Sequence, residues 1–150
     1  MKIQYRLLSI IALITLSFYS TPNARADHLA LGAGVIHLSN PSETEFEVGG
    51  EYEYNLNAFF GVGAQVNYIF STPSITLLGA PEGFVHPLGG DWYISGSPLF
   101  EFASGMSTQV GARFGTRVPL PLGFMTLIPS VAVDFIGGGT DYMFGLGISI

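Results

Sequence analysis

The chain has 150 residues, 48% of them hydrophobic and 11% charged, with 20 glycines, nine prolines and no cysteine. That length suits one domain, and the missing cysteine excludes disulfides, thiolate metal sites and cysteine catalysis. Five basic residues stand against eleven acids with no basic patch, which excludes nucleic acid as a partner.

The first segment is set aside before any fold reasoning. Lys2 and Arg6 precede an apolar run over residues 7–18, and Ala24-Arg25-Ala26 is a small-x-small cleavage site. This is the layout of a secretory signal peptide. It predicts a removed segment 1–26 and a mature domain 27–150 that begins at Asp27. The run falls short of the ~20 residues a transmembrane helix needs. Cleavage after Ala26 leaves Arg113 and Arg117 as the only strong cations, no lysine, and a net charge of −9. A soluble domain of this size normally spreads lysine and glutamate over its surface.

From there the chain reads as strands, because apolar residues alternate and no helical period is found. Residues 29–39 form a first strand in which Ile36, His37 and Leu38 blur the two faces. Residues 45–56 are the clearest: Phe46, Val48, Tyr52 and Tyr54 share one face, and Glu45, Glu47, Glu51 and Glu53 the other. Over 58–70, Phe60, Val62, Val66 and Tyr68 oppose Gly61, Gly63, Gln65 and Asn67. Residues 75–85 contain Pro81 and Gly83, and proline lacks the ladder donor, so an irregular strand is expected. Over 92–102, Trp92, Ile94 and Phe100 oppose Tyr93, Ser95, Ser97 and Glu101. Over 108–118, Val110 and Phe114 oppose Arg113 and Arg117, with a connection expected at 119–123. Residues 125–135 and 142–150 continue the alternation, with Asp134 on the polar face of the first.

Seven short connections thus join eight strands of about ten residues, the length a tilted strand needs to cross a bilayer. The expected fold is all-β: an eight-stranded antiparallel up-and-down transmembrane β-barrel. Alternation alone also permits a soluble, lipocalin-like periplasmic barrel with its apolar faces inward. Side-chain size decides between the two. The polar faces are rich in glycine, serine and alanine, as the cramped lumen of eight strands requires, and the bulky residues fill the other face.

The closing run Gly145-Leu146-Gly147-Ile148-Ser149-Ile150 resembles the C-terminal signature of outer-membrane proteins, with Ile150 where the family usually ends on an aromatic. The turn and strand Gly89-Gly90-Asp91-Trp92-Tyr93-Ile94 is also similar to small outer-membrane β-barrels of Gram-negative bacteria. That resemblance implies a place in the cell outer membrane among lipid and lipopolysaccharide. It also implies recognition of the C-terminal strand by the barrel-assembly machinery, and a monomer.

Two sets of candidate residues follow. With bulky faces outward, Glu45, Glu47, Glu51, Glu53, Glu101, Asp134, Arg113 and Arg117 point into the lumen. The plain expectation is a polar core that plugs the barrel, with Arg–Glu bridges between the second and sixth strands. The sharper one is a narrow, cation-preferring conduit, since acids outnumber bases. The second set is His37-Leu38-Ser39-Asn40, which resembles a string found in outer-membrane lipid A deacylases. On that resemblance His37 is the base, Ser39 the nucleophile, Asn40 the oxyanion donor and Glu51 the acid that orients His37. The plainer alternative is a strand end running into an Asn-Pro turn. His28, His37 and His86 lack the spacing of a zinc site, and no cofactor motif is found.

Overall fold

The structure is a computed structural model that describes residues 28–87, 89 and 91–149. The expected signal segment 1–26 lies outside the described residues, as do residues 27, 88, 90 and 150. The elements are β1 (His28–Ser39), β2 (Ser42–Asn55), β3 (Phe60–Ile69), β4 (Ile75–Val85), β5 (Tyr93–Ala103), β6 (Gln109–Arg117), β7 (Leu120–Leu122), β8 (Met125–Ile136) and β9 (Gly139–Ser149). Except for β6 and β7, strands consecutive in sequence pair antiparallel, and β1 pairs with β9. The β6–β8 pairing completes a ring of eight long strands. Closure satisfies the backbone ladder all the way round, which a spanning sheet in lipid must do.

Three details differ from the sequence reading. The sixth connection is not at 119–123. Arg117 pairs with Ser130, the Val118 amide donates to the Pro129 carbonyl, and Leu120 pairs with Leu127. So β7 continues β6 in the same register, interrupted only at 118–119, where Pro129 of β8 has no N–H to return to the Val118 carbonyl. The chain reverses instead at Gly123-Phe124, where Gly123 takes a positive φ of 67°. The second difference is in β1, whose faces are unambiguous in the structure. Ala30, Ile36 and Leu38 are buried, while Leu29, Leu31, Val35 and His37 face out.

The third is the form that the irregularity of β4 takes. Gly79 pairs with Leu99, but Gly83 pairs with Gly96, so β4 spends one residue more than β5 between these rungs. This β-bulge lies around Ala80-Pro81 and switches the inward phase of the strand. Before it Leu77 and Gly79 face in; after it Glu82, Phe84 and His86 do.

The apolar faces are outside. Phe46, Tyr54, Phe70, Val110, Phe114, Phe144 and Leu146 are among the exposed large hydrophobics, each more than half exposed. The buried set includes Glu47, Glu51, Glu53, Glu82, Arg113 and Asp134. A soluble barrel with apolar faces inward is therefore not what the chain forms.

Candidate functional site: the lumen

The lumen is filled in two storeys. Toward the end where the described chain begins and finishes, it is polar and ionic. Arg113 of β6 lies directly opposite Asp134 of β8 in the register. Its Nε and Nη2 donate to the two Asp134 carboxylate oxygens at 2.6 and 2.5 Å. Its Nη1 donates to Gln65 Oε1 at 2.9 Å and Asn67 Oδ1 at 2.7 Å on β3. The rigid guanidinium fork engages one carboxylate bidentately and still reaches a second strand, which an ammonium could not do.

Arg117 pairs with Glu51 across the lumen from β6 to β2, and Tyr93 donates to the same carboxylate at 2.6 Å. Nearer the end, His86 meets Glu53 at 2.7 Å, both almost fully buried. Gln65 also donates to Glu82 at 3.0 Å. The strand that carries the glutamates makes room for these groups with a small residue between them. At Gly49 a Cβ would come within 2.5 Å of Asn67 Nδ2 and 2.7 Å of the Val66 carbonyl.

The other storey is apolar. Ile36, Leu38, Ile69, Leu77, Leu99, Ala132, Ile136 and Met143 pack together across the barrel interior, with Ile75 against them. Above this plug lies a vestibule of about 290 Å³, lined in part by Ser39, Glu43, Glu101, Gln109 and Asp141. Beneath it, a void of only about 50 Å³ lies beside Glu47, Glu51 and Arg117. Such a void has room for a few waters and for no larger solute.

The expected lumen residues are distributed unevenly. Glu47, Glu51, Glu53, Arg113 and Asp134 are buried in the network, and Arg117 is mostly so. The expected bridge between the second and sixth strands exists for Arg117–Glu51 only; Arg113 turns to Asp134 on the adjacent strand. Glu45 and Glu101 are half-buried toward the vestibule end, where Gln109 donates to Glu101 at 3.3 Å. The sequence reading missed Glu82 and His86, because their phase depends on the bulge. It named Gln65, Asn67 and Tyr93 as inward-facing without giving them a part. Their signal was available: each is a hydrogen-bonding side chain on the small-residue face.

The residues of the deacylase-like string are not brought together with Glu51. His37 lies on the outer face, its Nδ1 3.0 Å from Thr44 Oγ1. The Ser39 amide and hydroxyl both donate to Asp141 Oδ1, at 2.7 and 2.9 Å, tying β1 to β9 at the rim. Asn40 sits in the turn between β1 and β2. Glu51 pairs with Ala30 in the register, seven positions along β1 from His37, and faces the lumen. His86, which sequence spacing left isolated, is the partner of Glu53. Among the described residues no three His, Cys, Asp or Glu side chains are grouped to hold a metal ion.

No protein-family model and no curated protein matches the chain. Solved structures do match in fold. The N-terminal β-barrel domain of Pseudomonas aeruginosa OprF superposes with a TM-score of 0.61 at 13% identity, covering 85% of this chain and 98% of that one. A structure from the de novo design of transmembrane β-barrels gives 0.55 at 12% identity, over 85% of this chain and 100% of that one. The solution structure of the de novo designed TMB2.3 gives 0.52 at 14% identity, over 87% and 94%. At such identities the likeness concerns fold: a closed, eight-stranded antiparallel barrel of the transmembrane kind.

Proposed function

We propose that the protein is an integral outer-membrane β-barrel with a structural role in the cell envelope, and that it offers no solute path. One observation carries the reading: the barrel is inside out relative to a soluble protein, and its interior is packed shut. An exterior of exposed phenylalanine, tyrosine and leucine suits acyl chains. Among the described residues the apolar plug and the ion-paired storey fill the lumen at two levels, as expected for eight strands. The likeness to the OprF barrel domain supports the same membrane setting.

In this reading the partners are outer-membrane lipid and lipopolysaccharide on the outer wall. The barrel-assembly machinery receives the C-terminal strand, and the barrel stands as a monomer. No catalytic step is assigned, and the narrow cation conduit loses ground to the plug. The test is gel mobility of the protein taken from the outer-membrane fraction. A band that runs faster unboiled than boiled is expected. Recovery of the folded chain from the soluble periplasm, with no shift, would overturn the proposal.

A further inference from the structure

The hairpin of residues 118–129 has a composition and an edge unlike the rest of the rim. It runs Val118-Pro-Leu-Pro-Leu-Gly-Phe-Met-Thr-Leu-Ile-Pro129, with no charged residue and with Thr126 as the only polar side chain. Charge is absent from Arg117 to Asp134. Val118, Leu120 and Leu122 continue the outward phase of Val110 and Phe114 and are themselves exposed. Phe124, at the tip, is 95% exposed.

The edge is the second observation. β7 lies last in the sheet order, with β8 beside it and no strand on its other side. The Val118 amide points to β8, so by strand alternation those of Leu120 and Leu122 do too. The residues whose N–H would face the open edge are Pro119 and Pro121, which have none. Sheet edges are commonly blunted with proline and with lysine or another charge; this one carries the prolines and no charge. Here the donors are deleted and the side chains are apolar, and the Pro119 and Pro121 carbonyls that still face the edge need the hydrated interface of a bilayer to satisfy them.

We infer that the 118–129 hairpin is a lipid-inserted anchor: it extends the acyl-chain contact of the barrel wall past the rim, with Phe124 at its leading end. The occupant of this surface is the acyl and interfacial region of the bilayer, because the hairpin is continuous with the lipid-facing band of β6 and β8. The inference rests on the membrane reading above.

The experiment uses the single tryptophan as a handle. Trp92 is the only one in the chain, so Trp92→Phe gives a dark background for two reporters, Phe124→Trp and Phe114→Trp. Both proteins are folded into phosphatidylcholine vesicles with and without brominated acyl chains. The Phe124→Trp reporter is expected to emit to the blue and to lose intensity to bromine as strongly as the mid-wall Phe114→Trp reporter. Aqueous iodide should leave it almost untouched. Red emission, quenched by iodide and indifferent to bromine, overturns the anchor if Phe114→Trp is still quenched by bromine. If Phe114→Trp also ignores bromine, it is the membrane reading that falls.

Discussion

The two storeys of the lumen solve one problem by opposite means. The ionic storey fills its cross-section with long polar side chains that satisfy one another. The apolar storey fills it with branched hydrocarbon. Hydrocarbon packing loses the transfer and cavity terms of the atoms removed, whereas an ion-pair network fails when one member leaves the others buried and unpaired. The storeys should therefore respond differently to truncation, and most sharply to truncating one partner as against both.

Arg113→Ala should give the largest loss, about 3–5 kcal/mol, because it strands the buried Asp134 carboxylate and the Asn67 oxygen. Urea unfolding of the barrel in vesicles measures it. The double change Arg113→Met with Asp134→Leu should cost clearly less than Arg113→Ala, since no charge of the pair is left behind. If the single and double variants lose equally, the ion pair is not what organises that storey.

Leu99→Ala, in the middle of the plug and fully buried, should cost about 2–5 kcal/mol with no comparable rescue by a second truncation. His86→Ala leaves Glu53 without the histidine it meets at 2.7 Å, for a loss of about 1–3 kcal/mol. Ser39→Ala is the smallest. It removes the hydroxyl bond to Asp141 and the acceptor of the Thr140 amide at the exposed rim, together worth about 1 kcal/mol, and should leave the acylation of lipid A unchanged by mass spectrometry. An altered lipid profile would instead revive the deacylase-like reading of His37 and Ser39.

The wall of the barrel was legible because strand period and side-chain size agree along β2, β3, β5, β6 and β9. The ionic storey was half legible. Phase alone put Glu51, Arg113, Arg117 and Asp134 inside, but pairing depends on register, which sequence does not state. Arg113 and Asp134 are cross-strand neighbours only because the chain turns at Gly123-Phe124 and not at 119–123. Glu82 and His86 were hidden by the bulge at Ala80-Pro81, which moves their side chains to the other face.

The apolar storey went unrecognised for a different reason. Ile36, Leu38, Ile69, Leu77 and Ile136 sit in the inward phase of their strands, but an apolar residue among apolar residues looks like a blurred face. The plug becomes visible only when strands distant in sequence are brought to one level.

Planar-bilayer recording on the purified, folded barrel tests the central claim most directly. With both storeys intact, no steady conducting state is expected, and openings should emerge only when Arg113→Ala and Leu99→Ala are combined. A stable, ion-selective conductance from the unaltered chain would contradict the packed lumen and return the surplus of lumen acids to the role of a cation path.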